Sequence, residues 1–349
     1  MTSAVKVLTK VQVGVETVRG TGVAATRRLI ADARYRRQQE VFDFTDQNSG
    51  VFARTPRAGV ITRAASEIEL TTPLDYQQIL LPLLSGMVGA VTPTGAGADK
   101  TWTFTPSTSA PVAVDTYTVE FVEASPDDSA EMEFTYGFTP EIEVSADTEG
   151  ISQLRWKMIG RATADSTLTG ALSVPTLVIS APPLWAPYMD DTWAGLGTTK
   201  VSPSAAVAKG GAYGFRWTYK GAEQEAFYLD GRTTLDFSQT EKKQPEAELE
   251  LDIVHDPVAT GFIQAEEAKK DSQAIRFVEM RLTGAALGGS NYSVKLQGGY
   301  YHATDSMEER GNDRDGNLVV RVHLVSAYDP TSTFQSRVIV VNNLTTFPA

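Results

Sequence analysis

In the run 244–253, Gln-Pro-Glu-Ala-Glu-Leu-Glu-Leu-Asp-Ile, the last eight residues alternate strictly between carboxylates and apolar side chains. Glu246, Glu248, Glu250 and Asp252 interleave with Ala247, Leu249, Leu251 and Ile253. Successive side chains of a strand point to opposite faces, so this run reads as a strand with one acidic and one apolar face. Glu, Asp and Ala are poor strand formers, and four like charges in a row repel. A chain that keeps such a row either uses a negative surface or sets it against a positive one.

The chain has 349 residues, room for two domains of ordinary size, and its 42% apolar content supplies a core. There is no cysteine, which excludes disulfide frameworks, thiolate chemistry and Cys-based metal sites. No run of about twenty apolar residues is present to span a membrane, and Met1–Lys6 shows no signal-peptide apolar region. The expectation is a soluble chain. The net charge of −12 is uneven: residues 1–65 hold 11 Lys and Arg against 5 Asp and Glu, so a basic arm precedes an acidic body. An acidic body argues against tight nucleic-acid binding, whereas one copy's arm suits another copy's body.

Short strands dominate the pattern, giving a mainly β class with one helix in each half. Strands are expected at 66–71, 101–105, 117–123, 131–138, 141–145 and 154–159. In the second half they fall near 213–219, 226–229, 233–237, 275–282, 292–297, 318–325 and 337–341, besides the opening run. One helix is expected to begin at Thr72-Pro73, with Thr72 as cap, and to carry Ile79, Leu80, Leu83, Leu84 and Met87, kinking at Pro82. A second begins at Asp256-Pro257 and turns Val258, Phe262, Ile263 and Ala265 inward. Residues 41–60 read as a long loop or hairpin tip. The Pro-, Gly- and Ser-rich stretch 164–210 marks the boundary between a first domain, 1–180, with its basic arm and long loop, and a second, 181–349.

The same pieces recur in the same order. Glu67-Ile68-Glu69-Leu70 precedes one helix, as Glu248-Leu249-Glu250-Leu251 precedes the other. Leu154-Arg155-Trp156-Lys157-Met158 matches Val320-Arg321-Val322-His323-Leu324. A duplicated β domain accounts for both.

Chemistry-bearing motifs are weak by comparison. Gly20-Thr21-Gly22-Val23-Ala24-Ala25 fits a dinucleotide fingerprint but is followed by arginines, so a Gly-bearing turn is expected. Residues 311–317, Gly-Asn-Asp-Arg-Asp-Gly-Asn, lack the first acidic ligand of a calcium loop and have Val322 in place of its last, so they read as a tight hairpin turn. His255, His302 and His323 show no metal-ligand spacing. Neither a nucleophile elbow nor a phosphate loop is present. No enzyme, cofactor or metal site is expected.

Three stretches carry a resemblance: VQVGVETVRGTGVAATRRL, TTPLDYQQILLPLLSGM and DRDGNLVVRVHLVSAYD with the later VIVVNN. Together they resemble the tail tube proteins of long-tailed, non-contractile bacteriophages. The resemblance implies tandem β-sandwich or half-barrel domains, each with a flanking helix. It implies a structural subunit of the virion tail, made in the host bacterial cytoplasm, self-assembling into stacked rings around a channel for double-stranded DNA. The length fits a two-domain subunit in three-membered rings of pseudo-sixfold symmetry, with six-membered rings as the alternative, contacting other tail proteins.

On that reading Glu67, Glu69, Glu246, Glu248, Glu250 and Asp252 line the channel, where like charge keeps phosphates from sticking. Arg27, Arg28, Arg34, Arg36 and Arg37, with the loop near 41–60, join ring to ring. A different class remains open: a two-domain carbohydrate-binding or adhesion module using Trp185, Trp193, Tyr213 and Trp217 as a stacking platform.

Overall fold

The computed structural model describes residues 10–43, 59–122, 131–201, 211–231, 234–254, 262–314 and 317–348. The chain is mainly β and antiparallel, with two helices among these residues. The first half contains β1 (Lys10–Val15), β2 (Arg27–Leu29), β3 (Asp32–Asp43), β4 (Gly59–Pro73), α1 (Leu80–Gly86), β5 (Lys100–Phe104), β6 (Tyr117–Val122), β7 (Glu131–Asp147), β8 (Gln153–Gly160) and β9 (Ala164–Asp165). The second contains β10 (Trp185–Asp190), β11 (Ala212–Lys220), β12 (Glu223–Ala226), β13 (Gln239–Lys242), β14 (Glu246–Val254) and α2 (Phe262–Ser272). It closes with β15 (Arg276–Leu287), β16 (Ser290–His302), β17 (Glu308–Arg314), β18 (Asn317–Ser326) and β19 (Ser336–Asn342).

Eight strands stand side by side in the order β3-β4-β8-β7-β11-β14-β18-β17, each antiparallel to the next. Every one of the interior strands alternates, and the apolar side chains fall on one side. Ile68, Leu70, Ile142, Val144, Leu154, Trp156, Trp217, Leu249, Leu251, Val322 and Leu324 are all buried there. Two further rows of strands supply the rest of the sandwich: β2-β1-β6-β7-β9, and β10-β15-β16-β19-β5. The first half thus lends β5 to the second, with Phe104 opposite Val338. One apolar cluster draws on both halves, so they share a core across the stretch near residue 180.

The strand order repeats. β3-β4-β8-β7 in the first half is followed across the same sheet by β11-β14-β18-β17. Ile68 faces Met158 as Leu249 faces Leu324, which reproduces the offsets of 181 and 166 residues between the matched sequence runs.

Several local expectations are corrected. The stretch after Thr72 is not helix: β4 runs through Pro73, and Asp75, not Thr72, gathers the chain into α1. Its carboxylate accepts from the backbone of Gln77 at 2.9 Å and Gln78 at 2.7 Å, and from Val178. Pro82 lies in the first turn of α1, where a missing N–H costs no intrahelical bond, so it marks the start rather than a kink. In α2 the buried side is Phe262, Ile263 and Glu266 while Ala265 is exposed; Val258 and the expected start lie outside the described residues.

The two strands expected at 131–138 and 141–145 are one, β7, bent at a bulge between Phe138 and Glu141, with Tyr136 in the left-handed region. Residues 234–237 are not strand, and the expected 226–229 strand is displaced to β12. Residues 41–60 begin and end as the arms of a long β3–β4 hairpin, and 44–58 lie outside the described residues. Gly20 has φ +76° and sits in a turn, as expected of the Gly-bearing run. No helix among the described residues is long and apolar enough to cross a membrane.

Candidate functional site

The polar face of the eight-stranded sheet is the feature with most chemistry. Because the acidic and basic rows both alternate with core residues, the fold stacks them column by column across the sheet. Glu67 and Glu69 on β4 lie between Arg36 and Arg34 on β3 and the Arg155 and Lys157 of β8. Next come Glu141 and Glu143 on β7, then Arg216 and Lys220 on β11. Glu246, Glu248, Glu250 and Asp252 follow on β14, and Arg321 and His323 on β18. Glu308, at the start of β17, takes the register position opposite Arg321. From β3 to β18 the charge therefore changes sign at every strand.

Within the chain the acidic rows are set against cations. Lys157 Nζ lies 2.8 Å from Glu67, and Arg155 pairs with Glu69. Glu250 receives Arg216 at 2.6 Å and Arg321 at 2.8 Å, and Arg321 is also bidentate to Asp252 at 2.9 and 3.1 Å. Lys220 reaches Glu248 at 2.6 Å and Glu246 at 3.5 Å, and the hydrogen bond to Glu248 holds its ammonium above the ordinary lysine value. The repulsion expected within a four-carboxylate row is relieved by the cations on either side. Glu250 is the most enclosed member of β14's row and Glu246 the most open, with side chains 16% and 45% exposed.

The repeat extends to these charges. Arg34 opposite Glu69, with Arg155 beyond, is restated as Arg216 opposite Glu250, with Arg321 beyond. Glu143 opposite Arg155 is restated as Glu308 opposite Arg321.

The five arm arginines do not act as one group. Arg27 is buried: it donates to Gln77 Oε1 at 2.9 Å and its guanidinium lies 4.9 Å from the Phe347 ring, so it is not available to another ring. Burial lowers its pKa. Arg28 is half-buried on β2. Arg34 and Arg36 are exposed on β3 on the same side as the glutamates, and Arg37 is exposed on the opposite side.

The three tryptophans of the carbohydrate reading do not form an open platform. Trp217 is 1% exposed, Trp185 packs edge-on to Phe215, and Trp193 lies on Phe334 under Arg337. These three rings pack against the protein, and Tyr213 is half-buried at the start of β11. His302 is buried against Glu266 and Ser306, and His323 bonds Asp305 at 2.7 Å; His255 lies outside the described residues.

A second apolar cluster sits at one end of the charged face. Ala65, Val114, Tyr136, Phe138 and Ile159 of the first half close around Phe237, which is fully buried. Phe237 belongs to the β11–β14 connection, residues 221–245, which leaves the second half to lie on the first. Glu223, on the same connection, is 2% exposed and accepts from Arg19 at 3.1 Å, Thr240 at 2.6 Å and Lys242. Burial by itself raises the Glu223 carboxyl, but these donors outweigh it and hold the group below its usual value.

The glutamate rows were visible in the sequence, whereas their cationic partners on β11 and β3 were not. The signal for them was Arg216 and Lys220 at even spacing in an aromatic strand. Comparison with known protein families finds no match, and comparison with curated proteins finds none either.

Proposed function

We propose that the chain is a structural, self-assembling subunit of a tail-tube type, forming rings whose inner wall is the charged sheet face. The observation that carries this is the joint inside the chain. β7, the last strand of the first four, pairs with β11, the first strand of the second four. Among the described pairings, β17 and β3 each bond one neighbour within the sheet, β18 and β4 respectively. These two outer edges hold the same places as β7 and β11. One copy's β17 edge therefore fits the next copy's β3 edge, head to tail, as β7 fits β11.

The internal register gives the external one. Glu143 stands opposite Thr218 at the internal joint. Glu308 takes the place of Glu143 and Arg36 that of Thr218, so Glu308 of one copy comes opposite Arg36 of the next. A carboxylate position thus meets an arginine position across the joint, and closure leaves no open strand to aggregate. Three copies make a barrel of about 24 strands, which at ~4.8 Å spacing and ~40° tilt is roughly 45–50 Å across. Removing about 5 Å of side chain per wall leaves room for a DNA duplex. The wall is a ladder of ion pairs with a slight acidic excess, which offers phosphates few unpaired cations.

Negative-stain microscopy of the purified protein tests the reading. Rings or tubes with a central channel are expected; a folded preparation that forms neither under any condition tried refutes it. The register is tested separately by Arg36→Cys with Glu308→Cys in this cysteine-free chain. Oxidation of assembled rings is expected to link neighbours through the joint, since opposed positions in antiparallel strands hold their Cβ atoms about 4.5–5.5 Å apart.

A further inference from the structure

The internal joint has a second component, and the equivalent place in the second half is left open by the described residues. In the first half the pair Phe138 and Ile159, opposite each other at the bulge of β7 and near the end of β8, is 0% and 4% exposed. It is covered by Phe237, whose ring meets Phe138 edge-on at 6.1 Å and Tyr136 at 5.2 Å. Phe237 arrives on residues 221–245, anchored by Arg161 donating to the Ser238 carbonyl at 2.8 Å and Lys242 to the Val112 carbonyl at 2.7 Å.

The offset of 166 residues that relates β8 to β18 carries Ile159 to Val325. Opposite Val325 stands Tyr301, where Phe138 stands in the first half. This equivalent pair is open: Tyr301 is 37% exposed and Val325 half-buried. The connection equivalent to 221–245 is the one between β3 and β4, because those strands hold the places of β11 and β14. On its described arms Val41, 51% exposed, stands opposite half-buried Ile61, so these two share one face, while Val60, 52% exposed, points to the other. A β-branched pair on one face of paired strands, left open by the described residues, is an apolar surface suited to a partner.

We infer that the β3–β4 hairpin arm of one copy lies over Tyr301 and Val325 of its ring neighbour, repeating between copies what residues 221–245 do within one. This rests on the ring reading, and it assigns the hairpin arm to contacts inside a ring rather than between stacked rings. The neighbour is the one whose β17 edge receives β3, so the strand joint and the hairpin seat share a single copy-to-copy interface.

Bifunctional maleimide cross-linking of the Val41→Cys, Tyr301→Cys chain tests it, because the protein has no other thiol. Both positions are exposed in the single chain, and the substitutions leave its core untouched. In assembled rings, denaturing gels are expected to show linked species that stop at the ring number, with loss of the Tyr301→Cys maleimide labelling seen in unassembled protein. Linked species that grow past the ring number place the hairpin between rings and overturn the inference. Rings on the grid without linkage, and with Tyr301→Cys still labelled, overturn it while sparing the ring reading. Absence of rings from the unsubstituted chain removes both. Ile61→Cys paired with Tyr301→Cys repeats the measurement from the other arm, on the face that Val41 shares, and is expected to give the same closed pattern.

Discussion

Glu250 shows why a row of carboxylates persists on a strand. Two guanidinium groups, Arg216 and Arg321, close on it from the two flanking strands, and its side chain is largely enclosed. Glu250→Ala leaves both cations without their shared acceptor, and the expected loss is about 1.5–3 kcal/mol in urea denaturation, the range for hydrogen bonds to charged groups. Glu69→Ala is expected to cost only about 0–1 kcal/mol, since its partner Arg155 is half exposed and screened by water. Equal losses at the two sites would show that enclosure does not set the strength of the pair. Glu223 makes a pH prediction. Its folded pKa lies below the unfolded one, so its contribution is complete above the ordinary glutamate range and is lost as pH falls through the depressed value. The unsubstituted protein should therefore lose more stability on acidification below about pH 4.5 than Glu223→Gln does. The check is a pair of denaturation series across that window. The alternation alone disclosed the carboxylates; the fate of Arg27, buried beneath Phe347, depended on contacts far along the chain that no local pattern encodes.

Elements were legible where one periodicity ran uninterrupted. The acidic strand, β6, β8 and β18 fall where their alternation puts them. α1 was misplaced because Thr72-Pro73 imitates a helix start, while the strand pairing of Thr72 with Leu154 on β8 takes precedence over that local signal. The actual organiser, Asp75, is 1% exposed, and burial raises its carboxyl above the usual value despite the backbone donors from Gln78, Val178 and Gln77. Asp75→Ala is expected to destabilise the fold by about 1–3 kcal/mol, the cost of leaving the buried backbone N–H groups it receives without an acceptor. Thr72→Val is expected to be nearly neutral, because the Thr72 hydroxyl is buried without a partner. Thermal denaturation of the two variants shows which residue organises the segment ahead of α1. α2 was found, but its inward Glu266 was not, since a carboxylate on a buried face is readable only once Arg276 and His302 are known to meet it.

At the scale of the molecule, the mainly β class and the repeated order of pieces followed from the sequence, and the antiparallel sheet carries that order in its pairings. What alternation could not disclose was which strands would stand beside the acidic ones, because lateral neighbours are set by topology rather than by local sequence. This changes how the channel reading is best tested. Reversing Glu248 and Glu250 together would bring lysines against Arg216, Lys220 and Arg321, so failure to assemble would say nothing about the lumen. Glu246 is the better probe, because it is the most open of its row and its one cationic partner, Lys220, also holds Glu248 at shorter range. Glu141→Gln with Glu246→Gln removes two accessible carboxylates from each chain and leaves the enclosed pairs intact, so rings are expected to form. The acidic excess of the wall then falls, and its cations attract phosphate more strongly, in exchange for counterions. Genome exit through tubes built of this variant should be slower than through the unsubstituted tube, with the gap widening as salt is lowered because screening weakens. Time-resolved ejection at two ionic strengths measures it. Equal exit rates at both would place the charged face away from the DNA, on the outside of the tube or in the contact between rings.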